Sequence, residues 1–200
     1  MKYYYYISDA KVNMLLPQIG DVRIKKISKS LGVDFKVFSV KRDVEYETDD
    51  RIARLEAVVS FIREFGELGT VDKPDKYIED SLPMTSIMLQ GEIAYFTGSL
   101  GGTVIGLGGS KKHLIGAETS GSIHLGGSVP NAILKALSES SVESLKAYEK
   151  DSALFKVKRL CEFSHEQNPL ENLRFMAKRL LMEKNGSVIL ASPLYVTKED

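Results

Sequence analysis

Residues 106–113, Gly-Leu-Gly-Gly-Ser-Lys-Lys-His, bring together the ingredients of an anion site. The glycines leave main-chain N–H groups uncovered, Ser110 adds a hydroxyl, and Lys111 and Lys112 add two cations beside His113. Successive backbone N–H groups in a concave turn bind phosphate or carboxylate oxygens, and ammonium groups strengthen such contacts with charge. Gly106, Gly108, Gly109, Ser110, Lys111, Lys112 and His113 are therefore the leading candidates for holding a small anionic ligand such as a nucleotide. The stretch is not a P-loop, because Gly-Lys-Ser/Thr is absent. It is not a dinucleotide fingerprint either, because Lys111 stands where the third glycine belongs. A plainer reading competes: glycines also let strands pack closely against their neighbours.

The same chemistry is nearly repeated. Ile105-Gly-Leu-Gly-Gly-Ser110 is echoed by Ile123-His-Leu-Gly-Gly-Ser128, and eleven of the 16 glycines fall between Gly91 and Gly127. A glycine inside a helix or strand costs about 0.5–1 kcal/mol relative to alanine, so the concentration needs a structural reason. His113 follows the first segment by three residues, and His124 lies within the second. Imidazole titrates near neutral pH, so either could be the acid or base of a small enzyme acting on a nucleotide or phosphorylated substrate. As metal ligands the pair lacks a third partner at convincing spacing, with only Glu118 near, and neither a metal nor a cofactor is expected. His165 is expected in a polar turn facing water.

Ser8-Asp-Ala-Lys11 matches the Ser-x-x-Lys pattern of some acyl enzymes, but no Lys-Thr-Gly partner follows. Helix capping by Ser8 or Asp9 explains the same residues. The end of a strand feeding a helix N-terminus is nevertheless a common place for a ligand, which keeps Ser8, Asp9 and Lys11 as second candidates. Cys161, beside Leu160 and Phe163, reads as a buried inert thiol. Tyr3–Tyr6 reads as sheet lining rather than a base-stacking platform, since no arginines interleave it. Glu45, Glu47, Asp49 and Asp50 read as a solvated helix start.

Bulk properties narrow the classes. Lys plus Arg and Asp plus Glu number 27 each, and this balance argues against a dedicated nucleic-acid binder. No apolar run approaches the ~18 residues of a membrane-spanning helix. The opening Met-Lys-Tyr-Tyr-Tyr-Tyr-Ile reads as a strand rather than a signal peptide. A lone cysteine excludes an internal disulfide and points to a reducing compartment, the cytoplasm.

The elements that must position these residues follow from periodicity. Tyr3 to Ile7 reads as a strand, central or covered on both faces. Helices are expected from Ser8 or Asp9, from Asp21 to Gly32, and from Thr48 to Gly66, with a strand at Phe35 to Val40. Residues 67–85, carrying Pro74 and Pro83, read as irregular. Glu92–Thr97, Thr103–Leu107, Lys112–Ala117 and Ser122–Leu125 read as a four-segment antiparallel meander. Helices are expected from Val129-Pro130, from Asp151 through Phe163, and from Asn168-Pro169-Leu170-Glu171, whose Leu173, Met176, Ala177, Leu180 and Leu181 recur at helical spacing. Ser187 to Val196 reads as a final strand in the sheet of the first. The order implies one α+β domain over residues 1–200: a mixed sheet with a central glycine-rich antiparallel meander and helices packed on it.

Several stretches resemble a poorly characterised bacterial family known by a domain-of-unknown-function label. They are Tyr3-Tyr-Tyr-Tyr-Ile-Ser-Asp-Ala-Lys-Val12, Gly69-Thr-Val-Asp-Lys-Pro74, Leu82-Pro-Met84, Val104-Ile-Gly-Leu-Gly-Gly-Ser110, His113-Leu-Ile-Gly116, Phe175-Met-Ala-Lys-Arg-Leu-Leu181 and Ser192-Pro-Leu-Tyr-Val196. The resemblance implies a small accessory protein found near conflict (anti-phage) systems, acting as a cytoplasmic sensor or adaptor. It carries over no catalytic residues. The expected function is thus a non-enzymatic ligand-sensing or adaptor domain that binds a small anion. The small enzyme using His113 or His124 is one alternative. The other is a protein-interaction module, a homo-oligomer included, in which glycine-rich strand edges pair with another chain.

Overall fold

The computed structural model describes residues 2–19, 48–89, 92–116, 133, 135 and 153–199. The chain divides into two compact units: Ser8–Glu67, and Met1–Ile7 together with Leu68–Asp200.

The Ser8–Glu67 unit is helical where described. It holds α1 (Asp9–Leu15), a 3-10 turn (Leu16–Gln18) and α2 (Thr48–Phe65). The Ser8 carbonyl opens α1 by accepting from Lys11 and Val12 N–H, both at 3.0 Å. Pro17 lies in the tighter turn, where its missing N–H breaks no α-helical ladder. Gly66 ends α2 as expected, its N–H donating to the Ile62 carbonyl at 2.8 Å. Val12, Leu16, Leu55, Val58, Val59 and Ile62 are buried. Arg51 grips Asp9 in a bidentate pair, with Nε and one terminal nitrogen each 2.8 Å from a carboxylate oxygen. The expected helix at 21–32 and strand at 35–40 lie outside the described residues.

The other unit is a sheet that closes on itself. Its strands are β1 (Lys2–Ile7), β2 (Leu68–Gly69), β3 (Tyr77–Leu89), β4 (Ile93–Leu100), β5 (Thr103–Ser110), β6 (Glu171–Met182) and β7 (Val188–Glu199), with helix α3 at Ala153–Gln167. β3 pairs β4, β4 pairs β5, β5 pairs β7, β7 pairs β6, and β6 returns to β3, giving a five-stranded barrel. Only β5 and β7 run parallel within that ring. β1 adds to β7 antiparallel and β2 adds to β3 parallel.

A ring this small is filled by side chains. Ile78, Leu82, Met84, Phe96, Ile105, Leu107, Leu173, Phe175, Ile189 and Val196 form the interior, with Tyr6 and the small Ala94, Ala177 and Ala191. A second cluster lies on the other face of the strands, where Ile93, Tyr95, Val188 and Leu190 meet Val157 and Leu160 of α3. Residues 93–98 of β4 are consequently buried on both faces.

Several expectations change. Residues 171–182 form β6, not a helix, and Asn168 ends α3, its N–H donating to the Ser164 carbonyl at 3.0 Å. Leu173, Phe175 and Ala177 keep the period of two toward the barrel interior, but the intervening Met176 is buried too, and an extra residue, Leu180, shifts the register between Arg179 and Leu181, so the apolar residues imitate helical spacing. Much of 67–85 is ordered strand, and β3 runs through Pro83. β1 has β7 as its ladder partner instead of sitting centrally, and its register shifts between Tyr4 and Tyr6. The first and last strands do pair, as expected. Of the four meander segments, the first two are β4 and β5. The third is a 3-10 turn (Lys111–His113) with one bridge at Leu114, and the fourth lies outside the described residues. Phe163 is exposed, and Cys161 and Ser164 take the buried face of α3 with Val157 and Leu160.

One proline shows how the barrel exchanges neighbours. β7 faces β5 up to Ala191 and β1 from Tyr195 onward, and Pro193 stands between. A residue without an N–H fits where a ladder changes partner.

Candidate functional site

The glycines of β5 have a packing explanation. A Cβ built on Gly106 would collide with the Tyr95 hydroxyl and stand 3.1 Å from Val157 Cγ1. On Gly108 it would stand 2.7 Å from Ile133 Cδ1. On Gly109 it would strike the Tyr6 hydroxyl, with Tyr6 Cζ at 2.7 Å. These positions are glycine because aromatic rings and an isoleucine fill the space. The β5 backbone pairs with β4 over 103–110 and with β7 over 104–107, so Gly106 lies between two partner strands. Gly106, Gly108 and Gly109 are buried, and the part of the candidate that reaches solvent is Ser110 to Lys112.

That part is a firmly held turn. Lys111 N–H donates to the Glu92 carbonyl at 2.8 Å, extending the β4–β5 ladder by one step. Leu114 N–H donates to the Lys111 carbonyl at 2.9 Å, and Ile115 N–H to the Tyr5 carbonyl at 3.0 Å. His113 is 7% exposed, its ring set edge-on to Tyr6 with centroids 5.8 Å apart. Lys112 is exposed. Lys111 is half-exposed, its ammonium 3.6 Å from a Glu92 carboxylate oxygen. His113 therefore anchors the turn while the two lysines face outward.

The second candidates belong to the helical unit. Ser8 is buried and Lys11 donates to its hydroxyl at 3.3 Å. Ser8 makes no side-chain cap bond, so α1 is opened by its carbonyl alone. His124 and Glu118 lie outside the described residues.

One cluster escaped the sequence reading. His165 sits in the last turn of α3, half-buried, with Nε2 3.3 Å from the Thr97 carbonyl oxygen and 3.5 Å from Cys161 Sγ. It is therefore not in a polar turn facing water. A carbonyl can only accept, so Nε2 must carry the proton and cannot take one from the thiol. Burial pushes the Cys161 thiol up, Thr97 eases the shift, and Glu162 adds to it. A resting, protonated thiol results, as the sequence suggested. Tyr95, also against this helix, has its hydroxyl pushed far up by burial, then by Cys161, with Thr97 opposing. The Thr97 hydroxyl already donates to the Ile105 carbonyl at 3.0 Å, and the Tyr95 hydroxyl has no hydrogen-bond partner among the described residues. The signal in the sequence was the four-residue spacing of Cys161 and His165, which puts both on one helix face.

A third cluster joins three strands. Glu79 of β3 accepts from the Tyr195 hydroxyl of β7 at 3.0 Å and from Arg174 of β6 at 3.3 Å. Tyr195 also meets the edge of Tyr4, with centroids 6.1 Å apart. The carboxylate is only 12% exposed and ties three strands together. Among the described residues, no three His, Cys, Asp or Glu side chains are placed to hold a metal ion. No helix among them is long and apolar enough to cross a membrane.

Fold and site together define a small closed β-barrel, with a helix packed on its outer face and a dibasic turn at the end of β5. The chain belongs to a family of unknown function, DUF7019, whose model matches residues 2–200. No curated protein and no solved structure matches the chain.

Proposed function

We propose that this protein is a non-enzymatic ligand-sensing or adaptor domain whose Lys111–Lys112 turn receives a small anionic group, such as the phosphates of a nucleotide. The observation that carries the reading is the fixed turn. Backbone bonds at Lys111, Leu114 and Ile115 and the His113–Tyr6 contact hold two outward-facing cations in place. Cations held before the ligand arrives lose less freedom on binding. The resemblance described above supplies the context: a cytoplasmic accessory protein of a bacterial conflict (anti-phage) system.

The site differs from the one drawn on sequence alone. Gly106, Gly108 and Gly109 support it by admitting Tyr95, Ile133 and Tyr6. Ser110, Lys111 and Lys112 would make the contacts, and His113 would hold the turn. Pairing of another chain along β5 is disfavoured by its two neighbours in the barrel.

Thermal unfolding with a panel of nucleotides tests this. Ligand at about 100 times its Kd stabilises by about 2.7 kcal/mol, a readily measured shift. The expected result is a rise for at least one nucleotide that disappears in the Lys111→Ala, Lys112→Ala double variant, itself as stable as wild type. No rise with any member, or a rise that survives the double variant, overturns the reading. Conversion of a nucleotide that is lost in His113→Ala or His124→Ala would replace it with the small enzyme.

A further inference from the structure

Glu92 has backbone φ +64°, in the left-handed region, and no other non-glycine described residue has positive φ. Glycine or asparagine suits such a position, so a glutamate there needs another reason. Its side chain and its carbonyl both meet the turn at Lys111. The carboxylate stands 3.6 Å from the Lys111 ammonium, while its carbonyl accepts the Lys111 N–H at 2.8 Å. One residue thus holds the backbone of the turn and occupies the cation that the turn displays.

We infer that Glu92 is a built-in competitor at Lys111, which a multiply charged phosphate group must displace. The inference rests on the anion site proposed above. The paired side chains are 36% and 43% exposed, and an ion pair this open to water is weak enough to be exchanged. A carboxylate carries one negative charge, whereas a phosphate group carries nearly two near neutral pH. Exchange therefore favours di- and triphosphates over carboxylates and singly charged anions. Glu92 would make the site selective for charge number, at some cost in affinity.

The test is calorimetric titration of inorganic pyrophosphate, with acetate as the singly charged comparison, into wild type, Glu92→Gln, Glu92→Gly and Lys111→Ala. Glu92→Gln is expected to tighten pyrophosphate about two- to fivefold, the worth of an exposed ion pair, and to narrow its preference over acetate. Glu92→Gly should show the same gain while relieving the left-handed backbone. In a Lys111→Ala background, Glu92→Gln should bring no gain. Wild-type binding that neither Glu92 variant changes overturns the competitor role and leaves the anion site standing. No pyrophosphate binding by any of these proteins overturns the anion site itself.

Discussion

The Tyr95 hydroxyl occupies the space where a side chain on Gly106 would begin. The two residues stand on neighbouring strands beneath α3, where Val157 and Leu160 also pack. This contact explains why a glycine stands among Val104, Ile105 and Leu107. The glycine-rich stretch that looks like a ligand cradle is, along β5, a set of sockets for large side chains.

Gly106→Ala is expected to destabilise the fold by about 1–3 kcal/mol, the range for overpacking a filled core. Denaturant unfolding measures it. Tyr95→Phe alone should be neutral or stabilising, because it removes a buried hydroxyl without a partner among the described residues. In the Tyr95→Phe background Gly106→Ala should cost less. The relief should be partial, since Tyr95 Cζ would still stand 2.7 Å from the new methyl. Equal cost in both backgrounds would contradict the contact.

Cys161 sets an alkaline limit to stability. Its folded thiol is pushed above the ordinary 9.0 by burial. Such a group contributes fully below the unfolded value and loses its contribution as pH rises through the folded one. Stability should therefore fall above pH 9, by at most about 1.4 kcal/mol per pH unit for this thiol. Tyr95 should add to the fall above its ordinary 10.0. Unfolding curves measured across this range should flatten near pH 9 in Cys161→Ala. The native thiol should also react with a thiol reagent far more slowly than the unfolded one. An unchanged slope in the variant would contradict the assignment.

Glu79 ties β3, β6 and β7 together through Tyr195 and Arg174. Glu79→Ala should cost about 1–3 kcal/mol, because it removes a largely buried carboxylate that accepts from both Tyr195 and Arg174. Glu79→Gln keeps an acceptor and should cost less. A double-mutant cycle with Tyr195→Phe should show coupling between the two. Strict additivity would mean that the pair holds nothing together.

Elements whose pattern matches one simple period were legible in the sequence. α2 repeats apolar residues from Ile52 through Ile62, and the Tyr3–Ile7 and Ser187–Val196 segments carry clear strand formers. β6 imitates a helix because Met176 is buried between the alternating Leu173, Phe175 and Ala177, because Leu180 is inserted in its ladder, and because Asn168-Pro169 looks like a helix start. Pro74 and Pro83 make residues 67–85 look like a loop, whereas β3 runs through Pro83. In the candidate site the cations were legible as local features. The burial of His113, the opposition of Glu92 and the closeness of His165 to Thr97 were not, because each depends on residues distant in sequence or on a backbone angle.

The most direct measurement is a nuclear magnetic resonance titration of isotope-labelled protein with pyrophosphate. The account predicts saturable shifts concentrated at Glu92 and at Ser110 through Leu114, absent from the Lys111→Ala, Lys112→Ala protein. Shifts that cluster elsewhere, or none at concentrations where other basic turns bind phosphate, would contradict it.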